Sequence, residues 1–170
     1  MNKDQLILEL VNTYSEAYKN LGYSSLMGKI VALLLVAPKP LSLDEISDNL
    51  QMIKGPISQI SRKLKDHHLI EKVWVPGERK DYYRVTDDIF GQAFSNYTTS
   101  MKRNLKIAEH FKTALNELDV HDEQTQQFSL KMQEMAKFYD AMYKHNREFM
   151  EKWRTDIKPN LEFELLPVED

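Results

Sequence analysis

Hydrogen-bonding and cationic side chains recur on one side of a helix that the sequence predicts from about Gly55 to His68. Lys54 stands at the entry to this helix, and Ser58, Gln59 and Arg62 follow on one face. Amide and guanidinium groups near the start of a helix hydrogen-bond to base edges in the ~12 Å wide major groove of DNA. The competing interpretation is the solvated side of an ordinary surface helix.

Local charge favours an anionic partner for the same part of the chain. Between Ile53 and Arg84, eight cations stand against four anions, a net charge of +4, whereas the remainder carries −7 of a total of −3. We therefore expect Gly55 and Lys63 to contact the same partner as Lys54, Ser58, Gln59 and Arg62. The opposite side of the predicted helix is apolar, with Ile57, Ile60 and Leu64.

The stretch VWVPGERKDYY, residues 73–83, predicts the tip of a β-hairpin with strands at Leu69–Val75 and Asp81–Thr86. Arg79 and Lys80 at this tip could bind DNA phosphates or enter a narrow minor groove. A charged tip is also common in hairpins of no special function. The aromatic residues Trp74, Tyr82 and Tyr83 are expected to pack on a small core rather than to stack on bases.

We find no sequence signature of an enzyme. The chain has five histidines and no cysteine, and we recognise no metal-ligand spacing, phosphate-binding glycine loop or nucleophile motif. The sequence predicts no catalytic, cofactor-binding or metal-binding residues. The charged start MNKDQLILEL resembles an amphipathic helix rather than a signal peptide, and Ile30–Ala37 is far shorter than the ~20 residues that cross a bilayer. We therefore expect a cytoplasmic protein without membrane contact.

Periodicity and helix-start signals predict the elements that position these side chains. One helix is expected at Asn2–Lys19, with an apolar stripe from Leu6 to Tyr18, and a buried one from Ser24 or Ser25 to Ala37. Ser42 and Glu45 form a capping-box pattern at the start of a third helix, across which Leu41 can pack on Ile46. Two helices, a turn, the polar helix and a hairpin follow the order of a winged helix-turn-helix.

Beyond Asp87 the sequence predicts two long helices with apolar residues at alternating spacings of three and four. The first carries Phe90, Phe94, Tyr97, Met101, Asn104, Ala108, Phe111, Leu115 and Leu118. The second carries Phe128, Met132, Met135, Tyr139, Met142, Asn146, Phe149 and Trp153. Helices of roughly 45 Å cannot bury such stripes on a small head, so they must pack on each other or on another chain. A homodimer is the expected result.

The fold class predicted is therefore mainly α with a small β-hairpin, a winged helix-turn-helix head followed by long helices. We expect an N-terminal packing or dimerisation helix at residues 1–23 and a DNA-binding domain at 24–86. A dimerisation region at 87–158 and a partly frayed tail at 159–170 complete the chain.

Residues 26–85 resemble the winged-helix head of the GbsR branch of MarR-type transcriptional regulators. The matching features are Gly28-Lys29-Ile30, the run from Pro40 to Ile46, Lys54-Gly55 with Ser58, and WVPGERKDYY. The resemblance implies a homodimer on operator DNA, with Lys54, Ser58, Gln59 and Arg62 facing the groove and Arg79 and Lys80 on the backbone or in the minor groove. Ile53 and Pro56 depart from the family pattern at the start of the helix.

The sequence thus predicts a regulator, a repressor in the first instance, that binds double-stranded DNA at a palindromic operator. The resemblance also implies that a choline-like small molecule is a candidate effector. The alternative is a protein-interaction module that docks through its long helices and does not read DNA.

Overall fold

The computed structural model describes residues 2–118 and 122–161. The helices in these ranges are α1 (Lys3–Asn20), α2 (Ser25–Val36), α3 (Leu43–Leu50), α4 (Lys54–Asp66), α5 (Ile89–Asn116) and α6 (Glu123–Lys152). The strands are β1 (Leu41–Ser42), β2 (Ile70–Val73) and β3 (Tyr82–Val85). A π-helical turn (Trp153–Ile157) and a 3₁₀ turn (Lys158–Asn160) follow α6. The predicted fold class, mainly helical with a small antiparallel sheet, is confirmed.

The chain divides into two compact units, one ending at Ala93 and the other beginning at Phe94. The apolar core of the first unit contains residues from α1 to α5 and from the sheet, with Ile30, Ile46 and Ile57 fully enclosed. None of the described helices is both long and apolar enough to span a bilayer. His121 and the end of the predicted tail, residues 162–170, lie outside the described ranges.

Helices α1 and α2 approach each other closely at Gly28. A Cβ atom there would lie 2.3 Å from the backbone oxygen of Tyr14, so only glycine fits without movement of α1. The buried side of α1 contains Val11 and Ser15. Leu6, at the start of the predicted apolar stripe, is 55% exposed. The contact at Gly28 turns the neighbouring face of α1 inward, where Ile7 packs on the core instead.

Local signals set the start of α3 and the turn that leads to α4. The Ser42 side chain accepts from the Glu45 amide, and the Glu45 carboxylate accepts from the Ser42 amide, so the predicted capping box is confirmed. Gln51 ends α3 in the left-handed region with φ of 51°, and Ser47 Oγ donates to the Met52 carbonyl across the turn. These contacts hold the short connection between α3 and α4 compact.

The sheet has three strands rather than the predicted two, in the order β1-β3-β2. Leu41 pairs with Tyr83 and Ser42 pairs with Tyr82, both antiparallel. Leu41 is buried, as the predicted helix-start contact requires, but it also belongs to the sheet. A two-residue strand has too little alternation to be seen in the sequence. This strand joins the start of α3 directly to the hairpin.

The second unit is formed by most of α5 and by α6, which run antiparallel. Phe94 lies 5.3 Å from Phe149, and Phe111 lies 5.8 Å from Phe128, as measured between ring centroids. The Asn146 amide donates to Met101 Sδ at 3.0 Å, in a buried contact between the two helices. The long helices therefore pack on each other, which is one of the two arrangements expected from their stripes.

Only part of the predicted stripes is covered by these contacts. On α5 the row Met101, Ala108 and Leu115 is buried, whereas Tyr97 and Phe111 on the neighbouring row are 55% and 41% exposed. These two rows together make up a heptad pattern, and α6 covers the first of them. In the second row Tyr97 stays exposed, and Phe111 is covered in part by its ring contact with Phe128.

Replacement of Gly28 by alanine should destabilise the first unit by roughly 1 to 3 kcal/mol, because the added methyl group forces α1 and α2 apart. Gly55→Ala is the matched control. A Cβ at that position meets nothing within 4 Å, and alanine is the better helix former. Chemical denaturation of both variants measures the difference. Equal stability of the Gly28 and Gly55 variants would contradict the close contact.

Candidate nucleic-acid interface

The polar side of α4 is at the surface because its other side is in the core. Ile57 and Leu64 are fully buried and Ile60 nearly so, as predicted. Lys54, Gly55, Gln59, Arg62 and Lys63 are exposed, and Ser58 is half-buried. The amphipathic pattern thus fixes the rotation of α4 and presents the predicted set to solvent. Whether this set binds DNA stays a prediction.

The hairpin of β2 and β3 is held by its ladder and by two ion pairs across it. Glu71 Oε1 lies 2.6 Å from Arg84 Nε, and Asp81 Oδ1 lies 2.6 Å from Lys72 Nζ. Val75 to Glu78 form a tight turn in which the Glu78 amide donates to the Val75 carbonyl at 3.1 Å. Gly77 has φ of 82°, so Pro76-Gly77 have the sequence and dihedral pattern of a type II turn.

Asp44, in the first turn of α3, contacts two of the predicted site residues at once. Its Oδ1 lies 2.5 Å from Lys54 Nζ, and its Oδ2 lies 2.9 Å from Lys80 Nζ. One carboxylate thus joins three elements: α3, the first residue of α4 and the tip of the hairpin. Lys54 and Lys80 are brought together although they are 26 positions apart in the sequence.

These contacts change the acidity of the carboxyl group. The hydrogen bond from Lys54, followed by that from Lys80, lowers the pKa of Asp44 from its ordinary value of 3.8 to about 2. The pair with Asp44 also raises the pKa of Lys80. Asp44 is therefore ionised at neutral pH and remains so under mildly acidic conditions.

The cations of the predicted site fall into two groups. Lys54 and Lys80 are engaged by Asp44. Within residues 2–118 and 122–161, Arg62, Lys63 and Arg79 take part in no ion pair. These three side chains can therefore bind an anion without first leaving an acidic residue.

The aromatic residues of the hairpin differ in how far they are buried. Tyr83 is partly buried against the core and Tyr82 is half-buried, which agrees with a packing role. Trp74 was predicted to pack on the core, and this was wrong, because its side chain is 77% exposed. The reason is that β2 ends at Val73, so Trp74 already belongs to the connecting loop.

Sequence reasoning missed two residues beside the predicted set. Asp44 gave no signal, since its partner Lys80 is 36 residues away and an acid in a first helical turn is common. Ile53, the N-cap residue of α4, makes no side-chain capping bond and is 78% exposed. An exposed β-branched residue next to a polar helix face is a candidate contact with a partner molecule. Its exposure in the structure is the signal that identifies it.

In the part of the chain that the structure describes, no three His, Asp or Glu residues come together in a way that could hold a metal ion. The surface built by α3, α4 and the hairpin is instead a set of cations and hydrogen-bonding groups around one carboxylate.

This order of elements, with a second helix presenting its polar face next to a three-stranded sheet and its loop, is the winged helix-turn-helix fold. A transcriptional regulator of known crystal structure shares it, with a TM-score of 0.74 and 23% identity over 87% of this chain and 97% of that one. That likeness concerns the fold.

Two relatives from Bacillus subtilis strain 168 are each 27% identical to the chain. The HTH-type transcriptional repressor OpcR matches over 142 residues, 77% of either protein. The provisionally named HTH-type transcriptional regulator YvaV matches over 146 residues, 81% of this chain and 82% of its own. No family model matches the chain.

The Asp44 contacts can be tested by titration of the carboxyl carbon with NMR. The wild type should titrate near pH 2, and Lys54→Ala should move the midpoint toward 3.8 by more than Lys80→Ala does. Because the folded-state pKa is lowered, the stability from these pairs is complete above the unfolded-state value and is lost as pH falls toward 2. Lys39→Ala, which removes the partner of Glu45, should leave Asp44 unchanged. A wild-type midpoint near 3.8 would refute the bridge.

Proposed function

We propose that the protein is a homodimeric, winged helix-turn-helix regulator of transcription that binds double-stranded DNA. The observation that carries the proposal is the exposed face of α4, whose polar residues lie beside the hairpin tip through the Asp44 contacts. A helix of this kind enters the major groove while the wing contacts the flanking backbone. The names of both relatives, an HTH-type repressor and a regulator, support the same class.

The proposed roles follow the chemistry of each side chain. Arg62 can donate two hydrogen bonds to guanine, and Gln59 can donate one to adenine and accept one from it. Ser58 can form a hydrogen bond with either base. Lys54, Lys63, Arg79 and Lys80 are assigned to phosphates. Gly55 leaves the first turn of α4 open, with no atom within 4 Å of a Cβ, so that a phosphate can approach its backbone amide.

The dimer is proposed from the second row of α5, which α6 covers only in part. Tyr97, Asn104 and Phe111 repeat every seven residues on α5, and the two aromatic residues are exposed. Leu118, which was predicted to continue the row, is also exposed but lies beyond the end of α5 at Asn116. Exposed apolar rows at heptad spacing are typical of a helix that packs on another chain, with one polar position that specifies the register. We assign residues 87–158, with the helix of residues 1–23, to dimerisation and 24–86 to DNA.

The finer features of the proposal come from the resemblance and from symmetry. We place the protein in the GbsR branch and expect repression, as in OpcR. A twofold dimer requires a palindromic operator with half-sites ~34 to 36 Å apart. A cytoplasmic location is part of the proposal because a regulator must reach its operator.

An effector of the choline type also belongs to the proposal through the resemblance. A quaternary ammonium group requires an open aromatic face. In the second unit, the ring of Tyr143 already has Lys102 Nζ at 5.7 Å and Arg147 Cζ at 6.0 Å from its centroid. The groove of about 470 Å³ that Tyr143 lines also contains Arg147, Glu151 and Arg154. Its charge does not favour a cation, so a choline site would have to use other rings.

Duplexes selected from a random pool provide the test of DNA binding. Affinity for a selected duplex should fall steeply with salt, and Arg62→Ala should lose roughly 1 to 3 kcal/mol at a single base position. Arg79→Ala should weaken all sequences alike and reduce the salt slope by about 1, because one phosphate is no longer neutralised. Fluorescence anisotropy at several salt concentrations measures both effects.

Arg103→Ala, which removes an exposed arginine of α5, is the control and should leave binding unchanged. If the wild type shows no salt-sensitive binding to any selected duplex, the regulator proposal fails. A stable dimer in that case would favour a protein-interaction module.

Dimerisation is tested by substituting lysine for residues in the second row of α5. Phe111→Lys should raise the dimer dissociation constant, because it places an ammonium group in an apolar interface. Tyr97→Lys tests the same row away from the contact that Phe111 makes with Phe128. Thr113→Lys, an exposed position turned to another side of α5, should have no effect. Sedimentation equilibrium that finds a wild-type monomer, or equal weakening in all three variants, would exclude this interface.

A further inference from the structure

Asp44 has a position that the DNA-binding role does not require. It is an acidic residue at the centre of a cationic surface, with Lys54 Nζ at 2.5 Å and Lys80 Nζ at 2.9 Å. The side chains of Asp44, Lys54 and Lys80 are 40%, 54% and 60% exposed, so all three can be reached by a ligand. A surface that only had to attract phosphates would be stronger without this carboxylate.

The carboxylate is positioned by α3 and not by the lysines. Asp44 is the second residue of α3, where the free amides of a helix start favour negative charge. The capping box of Ser42 and Glu45 fixes the backbone on either side of it. Ser42 is also tied to the hairpin, because it pairs with Tyr82 in the sheet. The acidic group therefore stays in place when the lysines turn away from it.

A DNA phosphate resembles this carboxylate in the features that matter for lysine. Each has two free oxygens that share one negative charge, and each accepts charge-assisted hydrogen bonds from ammonium groups. The charge of Lys54 and Lys80 is already partly neutralised by Asp44, so each attracts a phosphate less strongly than a free lysine would. Any phosphate that approaches these lysines also approaches the Asp44 charge, which repels it.

From this geometry we propose that Asp44 is an internal competitor for DNA phosphates, which weakens the contacts of Lys54 and Lys80 with any backbone and so lowers affinity for every duplex alike. The inference rests on the proposed function. Arg62, Lys63 and Arg79 are outside the competition, since none of them is paired with an acid among the described residues. Asp44 would thus act on the phosphate contacts of Lys54 and Lys80, as a positioning residue that does not itself bind DNA.

The test is Asp44→Asn, which keeps the size of the side chain and leaves the capping box intact. Its affinity should rise at least about threefold, by the same factor for a random and a selected duplex, because two exposed ion pairs no longer oppose the backbone contacts. The ratio of selected to random affinity should therefore stay the same, and the dependence on salt should become steeper. Anisotropy titrations of both duplexes at several salt concentrations measure all three quantities.

Glu71→Gln is the matched control. It also removes one negative charge from the first unit, but the residue lies on β2 and pairs with Arg84, outside the predicted site. An equal gain in the Glu71 variant would mean that net charge alone is responsible, and this would overturn the proposal. Thermal unfolding of both variants shows that they are folded.

The outcomes separate the two proposals. If the wild type binds selected duplexes but Asp44→Asn binds random DNA no more tightly or more weakly, Asp44 supports the surface and the competitor role is wrong. If neither form binds any duplex in a salt-sensitive way, the proposed function fails and the inference fails with it.

Discussion

The burial of one side of α4 is the constraint on which the candidate site depends. Ile57 and Leu64 are fully enclosed and cannot leave the core without a loss of several kcal/mol each. Because successive residues of a helix are about 100° apart, this burial fixes the direction of every other side chain on α4. Lys54, Gln59 and Arg62 are exposed for that reason, and no loop motion is needed to present them.

The hairpin is positioned by a second set of contacts, which begins at the start of α3. β1 pairs with β3, so the backbone that caps α3 is part of the sheet that carries the wing. The ion pairs of Asp44 extend this connection to the side chains. Exposed ion pairs of this kind contribute little to stability. The arrangement is therefore better explained by a function than by a gain in stability. In the proposed role, the carboxylate between two lysines weakens their contacts with DNA phosphates.

Much of this arrangement follows from the sequence because its signals are local. The capping box at Ser42 and Glu45, the apolar face of α4 and the heptad spacing of α5 and α6 all lie within a few turns of one helix. The features that the sequence did not predict depend on distant residues. Strand β1 exists because Leu41 meets Tyr83, and Asp44 meets Lys80 across 36 positions. Trp74 is exposed because β2 ends at Val73, two residues before the end of the predicted strand at Val75.

The central claim is that the exposed face of α4 and the hairpin tip form one surface that binds DNA. The most direct measurement is to follow the NMR signals of the protein while a selected duplex is added. We expect the first and largest changes at Lys54–Arg62 and at Arg79-Lys80, with the side-chain signal of Arg62 among them. Changes confined to α5 and α6, with α4 unaffected, would contradict the claim.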